Sequence, residues 1–510
     1  MSPSLTHRIA RSVACFLPAL LLWGSSSGCS RRSSAQPIPV QAGAGVRSFQ
    51  PADIQADARR AIGERLAARE QKFRELYQPG SVWNTLRIEQ RDIDSGRISL
   101  PRLVEIGRDL FATDFGLAQG LGNGLAAHKS PLSGRHAAPN LRHVQFREFG
   151  GPDGTRCVGC HHVGGAGGAG FRADNVFLDG DGDTPRSGLE RNPRALFGAA
   201  VLQRLGEEMT ADLHAQVSKA MRSLSAGGSV QLSSKGVPFG VLRRGANGKL
   251  DLTGIRGVSL DLVVRPFGWK GTATSLRQQV VTSLQQNLGI QAEELVRRLG
   301  ASGTLGSGPP GDPDADGVLR EATEGMVTAL TAYIAALALS SNDLLIAPSF
   351  SLQLGRGERM FHSLGCAECH VPELPLNDPV LRLGPTPDSL PVVDLTPLLA
   401  SSAGPAGKPL RVRLYSDLRR HNLGDELAES RGYLGIPKSS FLTPPLWGIS
   451  ATGPYLHDGR AGDIDAAIRA HGGEAAAARS AYIQLSVHDS EPLRIFLLSL
   501  SRPPQVEFKP

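Results

Sequence analysis

Two short stretches decide how this chain is read: Cys157-Val158-Gly159-Cys160-His161 and Cys366-Ala367-Glu368-Cys369-His370. Each sets two cysteines about one helical turn apart with a histidine directly after the second. That spacing lets both sulfurs add across the two vinyl groups of one porphyrin and brings the histidine under the iron as its proximal ligand. The chain is therefore expected to carry two covalently attached haem c groups. Cys157, Cys160 and His161 would hold the first, and Cys366, Cys369 and His370 the second. A zinc site built from two CxxC pairs is the nearest rival, but a histidine follows each pair at once. His162 is read as a neighbouring or surface group, since its ring cannot reach the opposite face of the same iron. The two remaining cysteines, Cys15 and Cys29, lie near the N-terminus, so no thiol is left for a disulfide.

The bulk numbers agree with a cofactor-bearing globular protein. The 510 residues suffice for two or three domains, with 40% hydrophobic and 20% charged residues, and the 60 Gly and 35 Pro imply much irregular backbone. The net charge of +7 is spread without a long Lys/Arg run, so it reads as a solvated basic surface and not as a nucleic-acid interface. Arg8 and Arg11 precede an apolar stretch over 13–23 that is too short to span a membrane, and Ser26-Ser27-Gly28-Cys29-Ser30 resembles a lipobox. Residues 1–29 are thus expected to be an export signal with lipidation at Cys29. The expected location is the periplasm, with membrane contact only through that lipid.

Outward from the motifs, the pattern predicts a mainly α fold of two cytochrome c-type haem domains with an inserted small β-hairpin subdomain. Residues 30–98 form a linker and a helical arm, the latter over 52–77. The first haem domain spans 99–345, with a leading helix at 103–111 and a closing helix at 326–339. Between them come helices at 195–205 and 207–224, then four strand-like segments at 230–232, 237–242, 249–252 and 258–264, an insertion over about 225–265. The second haem domain spans 346–510, with its leading helix at 352–364 and its closing helix at 492–500.

Several further stretches stand in a fixed order around the two motifs: RNPRALFG at 191–198, PFGWKG at 266–271 with LRQQ at 276–279, GCAECHVP at 365–372, YSDL at 415–418 through HNLG at 421–424, PPLWG at 444–448, YLHDGR at 455–460 and AIRAHGGE at 467–474. With them the chain resembles the bacterial di-haem cytochrome c peroxidases and, more closely, their larger relatives, the di-haem oxidoreductases. The resemblance implies that His471, standing where the peroxidases carry a methionine, is the second axial ligand of the second haem. A bis-histidine site has a lower potential, because imidazole is the stronger donor to ferric iron. His457 is the alternative ligand, and Met360 lies at core spacing.

The peroxidases close their reactive haem with a histidine that has no counterpart between His162 and Arg191, so the first haem is expected to be open to peroxide unless His143, Met209 or His214 folds over it. Gln279 matches the family's distal glutamine. The glutamate expected about ten residues later is replaced by Leu288 and Gly289, leaving Glu293 or Glu294 as substitutes or as plain helix charges. Trp269 falls near a tryptophan that lies between the haems of the family, as an electron relay or as packing.

Asp312, Asp314 and Asp316 before Gly317 form the front half of a calcium loop whose twelfth position is Thr323; a calcium site and a solvated acidic loop are both compatible. A weaker cluster of the same kind lies at 179–183. The function implied is a di-haem oxidoreductase that exchanges electrons with a small redox protein and acts on hydrogen peroxide or another small substrate. A non-catalytic electron carrier and a dioxygenase resembling the di-haem rubber-cleaving enzymes are the alternatives.

Overall fold

Helix Leu100–Ala112 starts where Ser99 accepts a hydrogen bond from Arg102 N, with Pro101 in the first turn, where a missing N–H costs nothing. Leu103, Ile106, Gly107, Leu110 and Phe111 recur at helical spacing and form its buried face. That face meets helix Glu324–Ala336, capped by Thr323 and buried from Gly325 to Ala335. The two cross at Gly107, where a Cβ would sit 2.0 Å from Ala329 O and 2.7 Å from Tyr333 Cβ. The same device recurs on the second leading helix, Ser351–Ser363. Its Gly357 meets helix Val487–Ser499, where a Cβ would sit 2.1 Å from Pro492 O and 2.6 Å from Phe496 Cβ. Each leading helix runs to within a few residues or a loop of a CxxCH motif, so the two crossings set the positions from which the motifs depart.

These helices belong to a computed structural model that describes residues 82–122, 153–178, 188–301, 311–312, 317–337, 351–397, 399 and 409–500. All lie in one unit, Arg74–Pro510. The expected signal over 1–29 with Cys29, the arm over 52–77, His143, the acidic cluster at 179–183, Asp314 and Asp316 fall outside the described residues. No helix among the described residues is long and apolar enough to cross a membrane.

Helices dominate, and the sheets are small. Two expectations need correction. The helices expected at 195–205 and 207–224 are one continuous helix, Ala199–Ser223. Gly206 weakens such a helix by only about 1 kcal/mol, and its bare backbone lets Pro266 approach, 3.2 Å from where a Cβ would stand. The insertion has three strands, not four: Ser229–Ser234, Val237–Arg244 and Leu250–Ile255, paired antiparallel in that order. The segment 258–264 instead turns, with Leu262 N donating to Ser259 O at 2.8 Å, Leu262 at φ +57 and Val264 N bonded to Thr210 Oγ1 at 2.9 Å. Its apolar alternation serves packing against the long helix.

Two hydrophobic cores result. One gathers Phe361, Tyr415, Ile464, Tyr482, Leu493, Phe496 and Leu497 around the second helix crossing. The larger one runs from Trp83 to Trp447 and takes in Leu374, Leu376, Leu414 and Leu418, which follow the second motif. A buried charge cluster ties distant segments together. Lys270, 1% exposed, donates to Pro437 O and Lys438 O at 2.8 Å and lies 3.1 Å from Glu429 Oε2. Arg191 pairs with the other oxygen of the same carboxylate.

Gly→Ala in a helix ordinarily stabilises; Gly107→Ala and Gly357→Ala should each do the reverse, lowering stability by about 1–3 kcal/mol through overpacking, read as the urea midpoint. Glu429→Gln would strand two buried cations, so a loss of about 3–5 kcal/mol is expected in the same measurement.

Candidate functional site

Both motifs close on themselves in the same way. Cys157–Cys160 is a single α turn in which His161 N donates to Cys157 O at 3.1 Å. In the second, Gly365 takes φ +86, turning the chain out of the leading helix into Cys366–Glu368, and His370 N donates to Cys366 O at 3.0 Å. A side chain at Gly365 would be strained in that conformation. The closure sets both sulfurs of a motif one turn apart and sends the histidine off the turn's end.

Cys366, Cys369, His370 and His471 all line one cavity of about 320 Å³, with Ile464, Ile468, Trp447 and Leu497 among its apolar walls. His370 Nδ1 bonds Tyr415 O at 2.9 Å, and His471 Nδ1 bonds Ala467 O at 2.7 Å. A carbonyl can only accept, so each ring keeps its proton on Nδ1 and leaves Nε2 with a lone pair. Burial first, and His471 next, push the His370 pKa down to about 4; burial also lowers that of His471. Both rings are therefore neutral near pH 7. His161 is held similarly, Nδ1 lying 3.2 Å from Gly168 O, with burial again lowering its pKa. Phe111 packs at 6.3 Å from it. Cys157, Cys160 and His161 do not line the cavity.

Burial pushes the Cys157 thiol up to about 12 and the Cys366 thiol up to about 11. Such thiols are protonated near pH 7. No group of three or more His, Cys, Asp or Glu suited to a metal ion occurs among the described residues.

Trp269 lines the same cavity, its Nε1 donating to Asn192 O at 2.7 Å. Arg194 lies 5.3 Å over its ring and donates to Gly268 O at 3.1 Å. No carboxylate among the described residues pairs with this guanidinium, and burial lowers its pKa to about 10. His457 also faces the cavity, stacked 4.4 Å from Phe441, and burial above all lowers its pKa to about 3. Gln279 sits apart from this cavity, half-buried on helix Leu276–Ser283, with Nε2 donating to Ser283 Oγ at 3.1 Å. Glu293 and Glu294 are tied up by Arg320 and Arg277. His162 bonds Asp174 at 3.1 Å, while His214 is exposed and bonded to Asp261 O at 2.8 Å. Met209 is fully buried in the larger core, and Met360 packs against the smaller one. Of the acidic triplet, Asp312 is described: it is buried and accepts from Gly317 N at 3.0 Å.

The sequence reading assigned no role to Arg194, Lys270, Glu429, or the charged group Asp417, His421 and Glu474. All but Glu429 lie inside the quoted stretches, but charge alone does not disclose a partner many residues away.

No curated protein matches the chain. Among solved structures, it is similar to a MauG-like protein associated with microbial copper homeostasis, at 15% identity over 59% of this chain and 88% of that one, with a TM-score of 0.26. It is also similar to Kuenenia stuttgartiensis hydrazine synthase, in a structure pressurised with 20 bar xenon, at 16% identity over 59% and 86%, with a TM-score of 0.25. Neither likeness bears on activity. The family model described as "Di-haem oxidoreductase, putative peroxidase" matches residues 256–500, a span that includes the second motif, His421, His471 and most of the cavity. Over that span, a little under half of its length, the chain is similar to the di-haem oxidoreductase family.

Proposed function

We propose that this protein is a c-type di-haem oxidoreductase of the peroxidase kind, with an electron-transfer haem between His370 and His471 and a reactive haem over His161. The observation that carries this reading is one cavity whose lining brings together Cys366, Cys369, His370 and His471, with both of these imidazoles tied through Nδ1 to a backbone carbonyl and free at Nε2.

The residues fit the group. Neutral thiols are available for thioether bonds, apolar walls suit a flat macrocycle, and Arg194 and Arg479 on the lining offer cations for its two carboxylates. When bound, the haems would supply one iron that exchanges electrons and one that reacts with hydrogen peroxide. The chain's own part is to hold the donors. Tyr415 O and Ala467 O keep Nε2 of His370 and His471 unprotonated, as backbone partners commonly do for ligand histidines. Two imidazoles favour the ferric state and so a low potential. Trp269, anchored by Asn192 and overlaid by Arg194, lies on the wall of the electron-transfer site and would connect it to the 157–161 motif. Gln279 would supply the amide donor on the peroxide side. A small redox protein would deliver the two electrons that, with two protons, convert hydrogen peroxide to two waters. Export and lipidation at Cys29 would place this chemistry in the periplasm.

The reading is tested by haem stoichiometry and spectroscopy. Two covalent haems per chain are expected by pyridine haemochrome, falling to one in Cys157→Ala/Cys160→Ala and to one in Cys366→Ala/Cys369→Ala. His471→Ala should remove a low-spin ferric EPR signal, and peroxide should alter only the high-spin signal of the wild type. Two low-spin haems inert to peroxide would establish the electron carrier instead, and substrate oxidation by dioxygen without peroxide the dioxygenase.

A further inference from the structure

One charge network, buried at Asp417 and His421 and open to solvent at Glu474, is not used by the proposed reaction. His421 Nε2 lies 2.8 Å from Asp417 Oδ2, and His421 Nδ1 lies 2.8 Å from Glu474 Oε2. A carboxylate faces each nitrogen, so the ring donates from both and is an imidazolium. It cannot serve as a metal ligand in that state. It can serve as a strut.

Each end of this strut is fastened to one of the two ligand-bearing loops. Asp417 is fully buried; its backbone N donates to Cys369 O at 3.0 Å and its Oδ1 accepts from Arg419 N at 2.9 Å. Two residues earlier, Tyr415 presents the carbonyl that holds His370. Tyr415 and Leu418 have φ of +54 and +55, conformations that residues with side chains avoid and that persist where the surroundings hold them. At the other end, Glu474 Oε1 also accepts from Asn422 N at 2.8 Å. Glu474 stands three residues after His471, and the turn between them presses on the strand: a Cβ on Gly473 would lie 2.2 Å from Asn422 O, and one on Gly472 would lie 2.8 Å from Leu423 O.

We infer that His421 is a positioning residue: its imidazolium, clamped between Asp417 and Glu474, holds the loop that supports His370 and the loop that presents His471 at the separation one haem requires. This rests on the reading of His370 and His471 as axial ligands of the same iron. The network leaves both ligands uncharged and acts on where they stand. Without the strut, His471 spends more time away from the iron. An external ligand competes only for that released fraction, so its apparent affinity rises in proportion.

The test uses ferric holoprotein with two haems, titrated with cyanide while the low-spin EPR signal of the second haem is followed. His421→Ala and Glu474→Ala should bind cyanide there at least about tenfold more tightly than wild type and show shifted low-spin g values, with the first haem's signal unchanged. Glu474→Gln keeps an acceptor oxygen and should fall between. Wild-type cyanide affinity and g values in both alanine variants, alongside a His471→Ala variant that has lost the signal, would overturn the strut and leave the ligand reading standing. Retention of the wild-type signal in His471→Ala would overturn both. Should His421→Ala not fold, Glu474→Ala decides alone, since that side chain is 52% exposed.

Discussion

An imidazole can give a lone pair to a metal only from a nitrogen without a proton, and in a neutral ring this requires the other nitrogen to keep its own. The rest of the second site is arranged around that requirement. Tyr415 O and Ala467 O each engage an Nδ1–H, and burial keeps both rings neutral. Neutral partners suit the purpose, because a carboxylate in either place would favour the charged ring. His421 shows the opposite arrangement a short distance away: carboxylates meet both of its nitrogens, and the ring becomes a structural cation. His370, His471 and His421 thus divide into two neutral rings with a free Nε2 and one doubly paired imidazolium by what faces Nδ1 and Nε2.

Holding such contacts requires a rigid frame, and much of the frame comes from glycine. Gly107 and Gly357 let two helix pairs approach to backbone contact, and Gly365 turns the chain sharply into the second motif. The Arg191, Lys270 and Glu429 cluster then connects segments that contribute Asn192, Trp269 and Leu427 to the cavity wall. Lys270 is the neighbour of Trp269 in sequence, so the cluster also fixes the loop from which Trp269 reaches the cavity wall. A buried cluster of this composition is costly to assemble and adds specificity of arrangement more than net stability.

The two motifs are alike in backbone and unlike in surroundings. His370 has a second imidazole across its cavity, whereas the ring neighbours of His161 are Phe111, the Gly168 carbonyl and the Arg194 backbone. Among the described residues, His162 and His214 are occupied elsewhere, by Asp174 and by Asp261 O. Saturated and unsaturated coordination is the physical difference between a haem that passes electrons and one that meets a substrate, which is why the proposed function assigns the first role to the second motif.

The amino-acid sequence by itself determined the two cysteine–histidine motifs and the leading and closing helices, and family resemblance singled out His471, which lines the same cavity as His370. These are legible because they depend on spacing: a helical turn between cysteines, helical periodicity on an apolar face, a glycine where the backbone must turn. The single helix through Gly206 and the turn in place of a fourth strand were misread because local pattern cannot weigh a packing partner such as Pro266 or a hydrogen bond from Val264 N to Thr210. Which ring nitrogen is free, which histidine is charged, and which buried carboxylate pairs with Lys270 were decided only by the tertiary structure. These depend on contacts between groups far apart in the chain, and electrostatic pairing, unlike periodicity, leaves no spacing in the sequence from which to infer it.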